Sequence, residues 1–114
     1  MQKKDEMVKQ ICTALVSGGY ITDYAYDHFR EEFAVPPPFA VYRRVAASGF
    51  AADGVVYHRG DNVDLELYAD TPEDMAALMD AVEMKLDEAE LFYNITADTV
   101  YIEQENFYET LYEL

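Results

Sequence analysis

Two histidines, His28 and His58, one cysteine, Cys12, and 23 carboxylates are the side chains of this 114-residue chain best suited to chemistry. Imidazole titrates near neutrality and does general acid–base work when a nucleophile or an acid is held beside it. No serine or cysteine stands in a nucleophile motif such as G-x-S-x-G, so both histidines read as structural or exposed groups and no enzyme is expected. His28, near an acid, is the one candidate left for an unrecognised activity. Ser17-Gly18-Gly19 lacks the Gly-Lys-Ser/Thr of a phosphate loop and reads as a helix stop.

Carboxylates held in pairs can exchange protons or bind calcium. Asp61, Asp64 and Glu66 miss the Asx and glycine pattern of a calcium loop, so neither a metal nor a cofactor is expected. Glu73, Asp80, Glu83 and Asp87 recur at the spacing of a solvated helix face, which makes them candidates for an acidic surface. Arg59-Gly60-Asp61 spells an integrin-type tripeptide that a glycine turn between two strands explains, and Asn94-Ile95-Thr96 reads as a chance glycosylation sequon.

Ten tyrosines call for a different account. Tyr42, Tyr57, Tyr68, Tyr101, Tyr108 and Tyr112 all fall on predicted strands, where aromatics are favoured anyway. Tyrosine also suits protein interfaces, because a rigid ring buries area while its hydroxyl stays wet. These six are therefore candidate interface residues as well as candidate core, and a tyrosine-rich second sheet face would suit a self-assembling protein.

The charge balance narrows the partners. With 23 acids against 8 Lys plus Arg the formal charge is −15, which repels phosphate backbones and excludes a conventional nucleic-acid grip. Residues 61 to 114 carry the whole excess, sixteen acids against Lys85 alone. A lone cysteine forms no intrachain disulfide and no thiolate cluster, which fits a reducing compartment. Met-Gln-Lys-Lys-Asp-Glu has the wrong order for a signal peptide and no stretch of about 18 apolar residues exists, so no membrane partner is expected.

Positioning these side chains requires a single domain, residues 1–114, on the usual size prior. Met7, Val8, Ile11, Cys12 and Leu15 lie at helical spacing within residues 3 to 17, before the Gly18-Gly19 stop. Between Tyr20 and Pro38 the periodicity is poor, giving a short extended piece and a packed loop that Pro36-Pro37-Pro38 closes. Period two then sets in: Phe39, Val41 and Val45 alternate with Ala40, Tyr42 and Arg44. Further strands are expected at 54 to 59 and 63 to 68, with Gly60-Asp61-Asn62 as the hairpin turn. Thr71-Pro72-Glu73-Asp74 announces a second helix with Met75, Leu78, Met79, Val82, Leu86 and Ala89 as its apolar stripe. Strands at 99 to 106 and 107 to 113 close the chain, and the pattern reads as α+β, a mainly antiparallel sheet of about five strands with two helices on one face.

A family resemblance runs through nearly the whole chain. It is carried by Ala25-Tyr26-Asp27-His28-Phe29, the prolines before Phe39-Ala40-Val41-Tyr42, Phe50-Ala51-Ala52-Asp53 and Tyr57, and Leu65-Glu66-Leu67-Tyr68. Phe92-Tyr93, Tyr101-Ile102-Glu103 and the Tyr108 to Tyr112 end continue it. The pattern resembles small structural proteins of tailed bacteriophages and prophages, in the tail-terminator or tail-completion group of the head–tail joining set. Gly54 departs from the asparagine that group favours, and Pro72-Glu73-Asp74 replaces a lysine-rich helix start. The resemblance implies a mixed α/β subunit of a homo-hexameric ring that caps the tail tube where it meets the head. Its partners would then be itself, the tail-tube protein and the head–tail connector, in the virion after assembly in the host bacterial cytoplasm. The acid bias adds the expectation of a negative lumen past which DNA slides. The same bias supports an alternative, an acidic DNA mimic of a mobile element that inhibits a basic host protein.

Overall fold

The computed structural model describes residues 3–31, 34–45 and 62–114. Helix α1 (Lys4–Ser17) is followed by strands β1 (Asp23–Tyr26), β2 (Phe39–Val45) and β3 (Asn62–Ala69), helix α2 (Pro72–Glu88), and strands β4 (Asn94–Ile102) and β5 (Phe107–Glu113). The strands form one sheet in the order β1-β2-β3-β5-β4, an α+β architecture. Among the described residues the β1–β2 pair is parallel, and β2–β3, β3–β5 and β5–β4 are antiparallel. Among the described residues no helix is long and apolar enough to cross a membrane.

Local signals account for the helices. In α1 the buried residues are Val8, Ile11, Cys12 and Leu15 of the predicted stripe, while Met7, expected with them, is half-buried. Beyond it, Tyr20 N donates to Leu15 O at 2.9 Å and Gly19 N to Val16 O at 3.0 Å, with Gly19 at φ 78°. This is a Schellman cap, and Gly19 supplies its left-handed residue without a Cβ penalty. Helix α2 starts as expected: Thr71 Oγ1 accepts from Asp74 N at 3.0 Å, with Pro72 in the first turn. Its other end repeats the Schellman pattern, with Leu91 N donating to Leu86 O at 2.9 Å, but here a glutamate, Glu90, holds the left-handed position at φ 57°.

Both helices lie on one face of the sheet, as the alternation of β3 requires. Val63, Leu65, Leu67 and Ala69 are buried under the helices while Asn62, Asp64, Glu66 and Tyr68 point the other way. Ala40 and Tyr42 of β2 and Thr110 and Tyr112 of β5 stand beside Leu67 and Leu65 and complete the core face. Met75, Leu78, Val82 and Leu86 of α2 close over it; Met79 and Ala89, expected in the same stripe, are half-buried at its margin.

Three boundaries differ from the sequence reading. The extended piece before the prolines is strand β1, and its parallel pairing with β2 makes the sheet mixed; four residues are too few to display a period. The strand expected at 99 to 106 begins at Asn94 and ends at Ile102, because register shifts between Ile95 and Ala97 and between Ala97 and Val100 break the alternation. The strand expected at 54 to 59, and Gly60 and Asp61 of its turn, lie outside the described residues; Asn62, assigned to that turn, opens β3.

Candidate functional site: an acidic aromatic groove on the open sheet face

The face away from the helices carries Phe39, Val41 and Arg43 of β2, Asp64, Glu66 and Tyr68 of β3, and Phe107, Glu109 and Leu111 of β5. Register sets Phe39 opposite Tyr68 and Tyr68 opposite Glu109, so three strands contribute one row. An open groove of about 610 Å³ runs over this row, bounded on one side by Asp27, His28 and Phe29 and on the other by Ile102 and Glu105.

Its apolar wall is a ring cluster. Phe39 stacks on Tyr68 at 4.7 Å between centroids, and Phe107 meets Phe39 at 5.7 Å and Tyr68 at 5.2 Å, edge to face in both cases. Phe29 adds an edge-to-face contact to Phe39 at 5.3 Å.

A polar chain crosses the same surface. Arg43 donates to both oxygens of Glu66, at 3.0 and 3.1 Å, in a bidentate fork, and to the carbonyl of Asp27 at 3.3 Å. Its Nε lies 3.4 Å from the Asp27 carboxylate, which also holds His28 Nδ1 at 2.8 Å. The hydrogen bond from His28, with attraction to His28 and Arg43, holds the Asp27 carboxyl below the ordinary aspartate value. The Tyr68 hydroxyl lies 2.6 Å from Glu109 Oε2 and 3.1 Å from Glu66 Oε1. Burial, then the hydrogen bond to Glu109 and the two negative charges, push the Tyr68 phenol far above its ordinary value. A phenol has one proton; the shorter contact takes it, and Glu66 is neutralised by Arg43 instead.

The reactive side chains of the described residues stand apart from one another. His28, 72 % exposed, is hydrogen-bonded to Asp27 and among the described residues to no hydroxyl or thiol. Cys12 is buried under α1, its thiol pushed up to about 12 by loss of solvent, which leaves it protonated and unreactive at neutral pH. Among the described residues no three metal-ligating side chains converge.

The candidate residues scatter over several environments. Of the six tyrosines, Tyr42 and Tyr112 are buried beneath the helices and Tyr108 is half-buried on the same face, so none of these is a free surface. Tyr57, like His58, lies outside the described residues; of the five described, Tyr68 lies in the groove and Tyr101 is 48 % exposed on β4. The expected tyrosine-rich second face therefore does not form among the described residues: the parity of β2, β5 and β4 turns their tyrosines toward the helices. Glu73, Asp80 and Asp87 are exposed as expected, whereas Glu83 is half-buried and accepts from Tyr112 Oη at 2.6 Å and Tyr93 Oη at 3.2 Å. Arg43, Glu109, Phe39 and Phe107 were not among the candidates; their strand parity was readable, but the register that joins them was not.

A second surface stands apart from the groove. Strand β4 is an edge of the sheet, and Ile95, Val100 and Tyr101 are exposed on it. Phe92, just before it, is 94 % exposed. No protein-family model, curated protein or solved structure matches the chain.

Proposed function

We propose that this chain is a structural subunit that associates with copies of itself into a ring and caps or completes a phage tail tube at the head–tail junction. The observation that carries the reading is the open edge of β4, nine residues long, with Ile95, Val100, Tyr101 and the neighbouring Phe92 exposed. An edge strand offers an unpaired row of N–H and C=O groups to another chain. The opposite edge of the sheet is β1, a different strand with a different sequence. Joining the β4 edge of one copy to another surface of the next is a heterologous contact, which repeats around a closed ring when the rotation permits. Bulges at Ile95/Ala97 and Ala97/Val100 and the charge of Asp98 limit indiscriminate strand pairing along the same edge.

The resemblance to tail-terminator proteins supports the same reading, and the acid bias gives it a mechanical sense. Carboxylates such as Glu73, Asp80 and Asp87, if they line a lumen, repel passing DNA and leave it free to slide. The test is solution mass by light scattering over a concentration series, with negative-stain imaging of the largest species, alone and with tail-tube protein. Closed rings, free or on tube ends, are the expected result. A persistent monomer that ignores tubes and instead binds a basic host protein with steep salt dependence overturns it in favour of an acidic DNA mimic.

A further inference from the structure

We propose that the open-face groove is a docking site for a partner-protein segment bearing an arginine or lysine, whose cation lies on the Phe39–Tyr68–Phe107 cluster and pairs with Glu109 and Glu105. The argument begins with the charges. Among the described residues four carboxylates line the groove, Asp27, Glu66, Glu105 and Glu109, against the guanidinium of Arg43 and the imidazole of His28. Arg43 is consumed by Glu66 and Asp27, and His28 by Asp27. Among the described residues neither Glu105 nor Glu109 has a cationic partner. The surplus negative charge therefore sits at the β5 side, within the wall formed by Phe107 and Tyr68.

Aromatic faces and an unpaired carboxylate together select the ligand. Ring faces attract cations through their quadrupole, and guanidinium in particular stacks flat on them while forking onto a carboxylate. A purely apolar occupant would strip water from Glu109 without replacing it, and an anion would meet the carboxylates directly. The groove volume, about 610 Å³, matches a side chain with its flanking residues rather than a whole domain. A second copy is the weaker occupant of this groove, since with only 8 Lys plus Arg against 23 acids it has few cationic side chains to offer. The groove is centred on β2, β3 and β5 and reaches β4 at Ile102, and Glu109 stands opposite the exposed Val100 of β4, so ring formation is read separately, by solution mass.

The experiment is a two-dimensional amide NMR titration of the full chain with the peptide acetyl-Gly-Leu-Arg-Leu-Gly-amide and its twin carrying citrulline in place of arginine. Saturable shifts centred on Glu66, Tyr68, Phe107 and Glu109 are expected, with the citrulline twin at least about tenfold weaker because it keeps the shape and loses the charge. Glu109→Gln is expected to weaken the arginine peptide about fivefold, and Phe107→Leu to do the same while leaving the amide dispersion of a folded chain. Absence of saturable groove shifts, equal binding of the citrulline twin, or shifts centred on the Glu73–Asp80–Asp87 surface would overturn the proposal. So would a change of solution mass on Glu109→Gln alone, which would identify the occupant as a second copy.

Discussion

Raising the pH from 8 to 11 should lower the stability of this protein along two successive slopes. Cys12 is fully buried and its thiol is pushed up from 9.0 to about 12 by desolvation. Tyr112 is fully buried and donates to Glu83, and Tyr68 is half-buried between two carboxylates; burial first, then those hydrogen bonds and charges, raise both phenols. For each group the folded value exceeds the unfolded one, so its stabilising contribution is complete below the unfolded value and disappears as pH climbs toward the folded one. Above the unfolded value the loss is about 1.4 kcal/mol per pH unit per group. Between pH 9 and 10 Cys12 alone acts, removing about 1.4 kcal/mol by pH 10. Above about 10 the raised phenols join, Tyr68 and Tyr112 together with Tyr42 and Tyr93, and by pH 11 Cys12, Tyr68 and Tyr112 by themselves remove about 5 to 6 kcal/mol, comparable with the whole stability of a typical small domain. Urea unfolding followed by circular dichroism at half-unit pH steps reads this directly. Cys12→Ala should flatten the pH 9 to 10 segment, and Tyr112→Phe should lower the slope above 10 by about 1.4 kcal/mol per pH unit, the share of one group. General repulsion from the charge of −15 is common to parent and variants, so their difference isolates the named groups. A parent whose stability is flat from pH 9 to 11, or a Tyr112→Phe variant with the parent's slope, would refute the reasoning.

Glu90→Gly should stabilise the fold by about 0.5 to 1 kcal/mol in urea unfolding, because the left-handed position at φ 57° strains a residue with a Cβ by more than glycine's added freedom costs. Arg43→Met should destabilise by about 1 to 3 kcal/mol in the same assay, since it leaves the half-buried Glu66 carboxylate without its bidentate partner.

Both helices were legible because their signals are local. Thr71-Pro72 and Gly18-Gly19 act within one turn of the residues they cap, and the apolar stripes need only a constant period. The end of α2 carries no such mark, since a glutamate occupies the position glycine would announce. Strand β3 was equally plain, with four buried residues in strict alternation. Strand β4 was misplaced because two register shifts and a left-handed Thr99, whose N–H turns to Thr110 Oγ1 at 2.9 Å, interrupt its period. The groove was out of reach for another reason. Parity assigns Phe39, Tyr68 and Glu109 to faces, but only the β2–β3 and β3–β5 registers place them in one row, and a slip of one residue would turn each to the other side.

The abundance of tyrosines and of acids, two separate facts in the composition, become one in the structure. Tyr112 and Tyr93 donate to Glu83, and Tyr68 is shared by Glu109 and Glu66. A chain with few cations cannot neutralise each half-buried carboxylate with a lysine or arginine, and among the described residues Arg43 is the base that does so on the open face. Phenols supply the missing donors: a neutral O–H solvates a carboxylate without adding charge, and its ring extends the packed surface at the same time. Phenols donating to these carboxylates bring no positive charge of their own, which leaves the outward potential of the molecule acidic even where its acids are structural. An acidic exterior that is anchored from within by tyrosine is suited both to holding DNA at a distance and to attracting a basic partner segment. Which of these a surface serves is decided by shape, since only the groove adds aromatic faces to the charge.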